Sequence, residues 1–600
     1  MKHFLAIFTF GFLPLMSSAA STDGATSSAS IIVSTIAALK AVPVSGLITG
    51  CKADVLGYNA AGDGGGGAFY YDPASGAPDN GGTVIHPAIG PGRWLRLFSG
   101  PINVRWFGAY GDGIHDDYTV IMATITAART NGTVYFPRGV YAVGTTIQIT
   151  DTLAAPKSLT FLGDGLKETY IFHTGTEATG CMVWTGQPVN AGGPGGLYIA
   201  TITGSHRIKD ICLGSVNGPC LTLNWCCNTT LENILWSCTG SSFPSLLIQN
   251  SLILHCYNLG ELHGNQEVPS GVVLPGPTGV GGWKPTYGRN AIRITVDKSY
   301  TDGVNGYCWG VASEIFFFGC RTDGCYNENG IVIEPANAAG SFQGANEIAR
   351  IYFIGCKLTA SNNAYNPAHD ADGVLYINGA KQVYILNSFI EAQLASNRTI
   401  TIDNQLGPTQ LILDNVEDGS NGYLDVGAYG GTPGPFLMHL SVHNGKFGDI
   451  RANYATSVYG SINIDKTAFI TSPVSTAIPV FQRYANELEF NGNRTVVDAV
   501  GTVTPLPNFS SAPNTLAAGM NNQVPAPTAI RTGTAVLIAG MARVSDHATT
   551  ARTHIRLSCL TPAGTPGAVY ISAKTTGSGF LIKSTSSSDT STVFYEASEP

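Results

Sequence analysis

Charge is scarce in this sequence. Asp, Glu, Lys and Arg make up 12% of its 600 residues, hydrophobic residues make up 44%, and the formal net charge is −8. No run of Lys or Arg occurs, so the basic patch or stripe that a nucleic-acid binder needs is missing. After the first twenty residues no apolar stretch is long enough to span a bilayer, and no membrane insertion is expected. The 13 Cys show no Cys-x2-Cys pair repeated at zinc-finger spacing. Their odd number leaves at least one thiol unpaired in an exported chain. Several close apolar strand runs, as Cys320 does after Phe316 to Gly319 and Cys356 after Tyr352 to Gly355, and these read as small buried hydrophobes rather than a disulfide framework. Helical periodicity is confined to one short stretch.

Glycine is abundant instead, at 73 residues, which suits a β-rich, turn-rich extracellular protein. Met1 to Ala20 reads as a secretory signal: Lys2 supplies the positive start, Phe4 to Leu15 the apolar run, and Ser18-Ala19-Ala20 the small residues for cleavage. The expected location is therefore secreted, extracellular or periplasmic. Residues 21–30 form a Ser/Thr/Ala spacer, and residues 31–100 a distinct β-rich head. The glycine cluster from Gly62 to Gly67 resembles a phosphate cradle, but a strand-like Ala-Phe-Tyr-Tyr-Asp follows where a helix should open, which argues against a nucleotide.

The most ordered stretch runs from Asn103 to Thr150. Gly111-Asp112-Gly113 makes a turn, and Asp116 and Asp117 stand at the start of a helix carrying Val120, Ile121, Ile125 and Ala128. Asp116 is the expected N-cap, and Asn131-Gly132 the stop. Residues 133–136 and 140–143 read as strands around the turn Pro137-Arg138-Gly139. This order, FGAYGDGIHDD followed by VYFPRGVYAV, resembles the entry motif of the pectate-lyase-like proteins, the rhamnogalacturonase/epimerase-like group. The resemblance implies a right-handed parallel β-helix that binds or cleaves acidic or complex polysaccharides. The head resembles the small segment that precedes the β-helix in tailspike-like members, whose relatives often form homotrimers.

From about Ser205 to Thr467 imperfect strand–turn–strand repeats recur. An apolar pair precedes a small or polar doublet ending at Cys256, Cys320, Cys356, Ser388 and Asn415, at spacings of 64, 36, 32 and 27 residues. A parallel solenoid is the economical reading. Equivalent positions in neighbouring coils then stack roughly 4.8 Å apart, and residues two apart share a face. On this register Arg321 stacks on Lys357, and Asp323 lies in a column with Thr359, Glu391 and Asp418. Asp323 and Glu391, about 9–10 Å apart across one coil, would suit an inverting hydrolase. Arg321 and Lys357 would suit a lyase, neutralising a uronate while a base removes the adjacent proton. The expected catalytic residues are thus Asp323, Glu391, Arg321 and Lys357.

Trp283, Tyr287 and Trp309, in or after a Gly- and Pro-rich insertion, are expected to stack on sugar rings, and Asp418 to contact substrate. Asp370 and Asp372 offer oxygen ligands for calcium, but two carboxylates are too few for a site and a turn is the better reading of them, so no cofactor is firmly expected.

Residues 486–530 read as a linker rich in Pro, Asn, Ser and Ala. Residues 531–600 hold at least four alternating strands, as in an antiparallel sandwich. The expected architecture is all-β: a right-handed parallel β-helix over 101–485 with an N-terminal capping helix, a β-rich head and a C-terminal β-sandwich-like module. Two functions fit: a secreted lyase or glycoside hydrolase acting on polysaccharide, or a non-catalytic glycan-binding adhesin or tailspike-like fibre.

Overall fold

The computed structural model describes residues 30–152, 154–190, 198–200, 206–238, 243–261, 290–296, 310–324, 330–336, 347–361, 373–393, 398–420, 422–426, 437–452, 459–464, 469–470, 488–490, 493–497, 503–505, 531–546, 549–551 and 553–598. The chain divides into two compact units between Ser99 and Gly100.

In the first unit, strands Ile31–Val33, Lys52–Val55, Gly67–Asp72, Arg93–Arg96 and Val84–Ile85 form a five-stranded sheet in that order. Trp94, Phe69, Tyr71 and Leu39 fill its core. The glycine-rich loop is built around the protein's own carboxylate. Asp63 accepts the backbone N–H groups of Tyr58, Asn59, Ala60 and Gly65 at 2.7–3.1 Å. Burial alone would raise its pKa, and these four donors outweigh burial and hold it below the ordinary value.

The second unit is a right-handed parallel β-helix followed by further antiparallel strands. Three walls recur coil after coil among the described residues. The first is a ten-stranded sheet from Ile147–Thr150 to Asp449–Ala452, and the second a fifteen-stranded sheet reaching Tyr459–Ile464. The third is a six-stranded sheet from Arg321–Gly324 to Phe469–Ile470. One interior column of the second wall shows why this sequence stacks. Phe161, Ile208, Leu231, Cys256, Phe317, Phe353, Ile385, Leu413 and Val442 pair in register, and each is at least 99% buried. The helix Tyr118–Ala127 sends Ile121 and Ile125 into the same core.

Among the described residues, one backbone conformation recurs eight times at a bend of the second wall, within the long strands Arg207–Ser215, Cys227–Cys238 and Leu252–Glu261 and just after the shorter ones that follow. Asp210, Asn233, Asn258, Gly319, Gly355, Asn387, Asn415 and Asn444 all take φ between 46° and 63°. Gly, Asn and Asp visit this left-handed region most readily. Neighbours are tied side chain to side chain. Asn233 donates to Asp210 at 2.8 Å, Asn258 to Asn233 at 2.9 Å and Asn415 to Asn387 at 2.9 Å. A second left-handed column runs Asn228, Ile253, Glu314, Arg350. Ile253, at φ 53°, is β-branched and therefore strained there. Ile253→Asn is expected to stabilise the β-helix by about 1 kcal/mol; a lower unfolding midpoint in denaturant would refute this.

Two features differ from expectation. Asp117, not Asp116, occupies the N-cap position, and its carboxylate turns back to the preceding loop, while the Asp116 carboxylate accepts the N–H of Tyr118, the first residue of the helix, at 2.9 Å. Part of the stretch read as linker forms a three-stranded antiparallel sheet, Leu488–Phe490, Asn493–Val497 and Val503–Pro505. Towards the C-terminus, two three-stranded antiparallel sheets enclose Leu537, Val544, Phe580, Ile582, Val593 and Ala597. The ten cysteines whose side chains are described are all free thiols, eight of them buried.

Candidate functional site

The third wall carries a charged outer column. Arg321 pairs in register with Lys357, then come Phe389, Glu417 and Lys446. Two residues along the strand, Thr359 pairs with Glu391. The Lys357 ammonium lies 4.0 Å from the Glu391 carboxylate and 5.7 Å from the centre of the Phe389 ring. Lys446 lies 3.3 Å from Glu417. The Lys357 side chain is 52% exposed and Glu391 27% exposed, so a ligand can reach both. Arg321, Lys357 and Glu391 therefore share a face. Asp323 sits on the same strand where the register shifts, between Thr322 and Gly324. Its side chain lies outside the described set, as do Trp283, Tyr287, Trp309, Asp370 and Asp372.

Asp418 does not join this face. It pairs with Ile390, not Glu391, and is 1% exposed. Asp418 accepts hydrogen bonds from the Ser420 backbone at 2.9 Å and from the Ser420 hydroxyl, and burial raises its pKa. The physical reason is a one-residue slip. The left-handed corner is Asn415, which stacks on Asn387, so Val416 rather than Asn415 is the counterpart of Ser388 and Cys356. Every residue after that corner changes face.

Two further outer surfaces were not anticipated. On the second wall His255, Phe316, Tyr352 and Tyr384 stack in successive coils at 5.3, 4.7 and 4.6 Å, with ring planes within 7° of parallel. Tyr257 and Phe318 stack beside them at 5.0 Å. Ring faces are used up within the ladder and ring edges face outward, so it stiffens the wall more than it offers stacking surface to a sugar. The sequence signal was present: the outward residue is aromatic in Ile315-Phe316, Ile351-Tyr352 and Val383-Tyr384.

On the first wall, Arg293, Val332, Tyr376, Thr401 and Asp425 form one outer column. Thr295, Glu334, Asn378 and Asp403 lie two residues further along the same strands. Arg293 binds Glu334 at 2.5 Å, and Arg398 binds Asp425 at 3.2 Å. The Asn378 amide donates to the Tyr376 hydroxyl at 3.0 Å, and that hydroxyl donates to Asp403 at 3.3 Å. The Leu406 and Asn404 N–H groups hold Asn378 and Asp403 in turn. Burial, then the charges of Asp403 and Glu334, push the Tyr376 phenol far above its ordinary pKa, so it stays neutral and serves as a donor, not a base. Among the described residues, no group of three or more His, Cys, Asp or Glu is arranged to hold a metal ion.

Comparison with known proteins follows the same division. Residues 101–250 match the family model described as rhamnogalacturonase A/epimerase, pectate lyase-like. Residues 32–99 match the phage tail protein small four-stranded β-sheet domain, and residues 526–597 the C-terminal domain of K1 capsule-specific polysaccharide lyase. Mannuronan C5-epimerase AlgE1 of Azotobacter vinelandii is 38% identical over 100 residues, which is 16% of this chain and 6% of that protein. The chain thus spans a small fraction of that relative. Among solved structures, the Acinetobacter phage vB_ApiP_P1 tailspike protein aligns with a TM-score of 0.47 and 11% identity, over 94% of this chain and 97% of that one. Tailspike protein gp49 of Acinetobacter baumannii bacteriophage Fri1, a capsular polysaccharide depolymerase, aligns with a TM-score of 0.39 and 12% identity, over 95% and 98%.

Proposed function

We propose that this chain, pectate-lyase-like in the first part of its β-helix, is an exported protein that cleaves an acidic polysaccharide by β-elimination along its third wall. The observation that carries the reading is two cations one rung apart, Arg321 and Lys357, beside the accessible carboxylate of Glu391. Cations there neutralise a uronate carboxylate and so make the proton on the adjacent carbon removable. Glu391 accepts that proton, a carbon–carbon double bond forms in the sugar as the bond to the leaving glycosidic oxygen breaks, and that oxygen takes a proton from water to leave as a hydroxyl. Asp323, on the same strand as Arg321, is the second candidate for proton transfer. The family and relative names support chemistry on a polysaccharide, since one is a capsule-specific polysaccharide lyase and another a mannuronan C5-epimerase. Export rests on the apolar segment Phe4 to Leu15 with Lys2 before it and small residues after it. A homotrimer belongs to the same reading, and light scattering of the purified protein tests it.

Incubation with a panel of acidic and neutral polysaccharides tests the function. Rising ultraviolet absorbance from an unsaturated uronate is the expected result. New reducing ends without absorbance would replace elimination by hydrolysis. Binding without cleavage would make the protein an adhesin or surface fibre, the reading that the tail-type head favours. Lys357→Gln is expected to lower kcat/KM on the acidic substrate about tenfold to a hundredfold; an unchanged value would remove Lys357 from the site.

A further inference from the structure

The polar network on the first wall has a feature that folding does not require. The hydroxyls of Thr295 and Thr401 point from its two columns, are 6% and 1% exposed, and have no hydrogen-bond partner. A buried hydroxyl left unbonded costs about 1–3 kcal/mol, and a β-strand accepts valine in the same shape at no such cost. Beside these hydroxyls, Asp403 and Asn378 are also withdrawn from solvent, at 1% and 3% exposure. Arg293 and Glu334 keep 23% and 20% side-chain exposure, and Tyr376 is half-buried, so the cluster opens outward through them.

We propose that this cluster is a second carbohydrate site, separate from the third-wall row, which takes the hydroxyl groups of neutral sugar residues. Neutral hydroxyls both donate and accept, and the cluster presents donors and acceptors together: threonine hydroxyls, a carboxamide, a phenol and carboxylates. An anionic sugar fits less well, because both arginines here are already engaged, Arg293 by Glu334 and Arg398 by Asp425. Thr401 stands one rung from Tyr376 in the same column, which sets two hydrogen-bonding groups roughly 4.8 Å apart. That spacing suits neighbouring hydroxyls and ring oxygen of one pyranose. The network through Asn378 and Asp403 holds the Tyr376 hydroxyl in place before a sugar arrives.

This inference rests on the glycan-acting reading, and its test separates the two. Neutral gluco-, manno- and galacto-oligosaccharides and oligouronides are titrated into the full chain and followed by calorimetry and saturation-transfer NMR. A neutral oligosaccharide is expected to bind without competition from oligouronides. Thr401→Val and Tyr376→Phe should each weaken it at least fivefold, while Thr401→Ser retains binding. Because the Thr401 hydroxyl bonds to nothing in the fold, Thr401→Val should leave the melting temperature unchanged or higher, which a structural role would not allow. Absence of any neutral-sugar binding, or Thr401→Val and Tyr376→Phe both binding like the parent, would overturn the inference. Cleavage of an acidic polymer alongside either result leaves the function standing; failure to bind or cleave any polysaccharide removes both.

Discussion

Glu391→Gln is expected to lower kcat on the cleaved polysaccharide at least a hundredfold, with the melting temperature unchanged. Glutamine keeps the shape and the hydrogen-bonding oxygen but cannot take a proton. General acid–base groups contribute about 10² to 10⁴ in rate, so the loss should fall in that range. The side chain sits on an outer face with 27% exposure, and its partner Lys357 is 4.0 Å away, so the fold depends little on its charge. Turnover within threefold of the parent would leave the third wall as a binding surface and pass the proton transfer to another residue, with Asp323→Asn as the next variant to assay.

The second large effect concerns Asp117, which is fully buried. Its two oxygens accept the backbone N–H groups of Tyr110 at 2.7 Å and Gly111 at 2.9 Å, fastening the residues that lead into the strand Asp112–Asp116 to the start of the helix. Burial nevertheless outweighs those donors, the Asp112 charge adds to it, and the carboxyl is pushed up to about 6 from 3.8. A folded-state pKa above the unfolded one means that the folded chain holds the proton more tightly. The associated stability is fully present below about pH 4 and is lost as pH rises through 6. The gap corresponds to about 3 kcal/mol. Asp117→Asn cannot ionise, so the local stability of the parent relative to the variant should fall by roughly 2–3 kcal/mol between pH 4 and pH 7. Hydrogen exchange of the Tyr110 and Gly111 amides, corrected for intrinsic rates, reads this directly. A difference independent of pH would show that Asp117 ionises as easily in the fold as in water.

These two residues also mark how far the sequence could be read. The entry motif, the strand alternation and the apolar doublets were sufficient for a parallel solenoid, because an inward column such as Phe317, Phe353 and Ile385 repeats visibly. Arg321 over Lys357 and Thr359 beside Glu391 were legible because the coils between Cys320 and Ser388 have corners of one kind, Gly319, Gly355 and Asn387. Asp418 was misplaced because its coil has two polar residues, Asp414 and Asn415, where one corner was sought, and only backbone conformation tells them apart. The same ambiguity hid the alignment of Cys256, which pairs with Phe317 and not with Cys320. The first-wall network was illegible for another reason. Arg293, Glu334, Tyr376 and Asp403 are spread over more than a hundred residues of ordinary-looking strand, and no local pattern announces that they meet.

The column of left-handed corners has a consequence for how such a chain can change length. The bend out of the second wall recurs once per coil, so a whole coil, such as the 28-residue repeat from Asn387 to its counterpart Asn415, is a unit that can be duplicated or excised with inside and outside preserved. A single inserted residue within a strand would instead invert every position up to the next bend. Lengthening therefore proceeds by complete storeys, and small insertions collect in the connections between walls, where they alter what the protein touches without disturbing what it stands on.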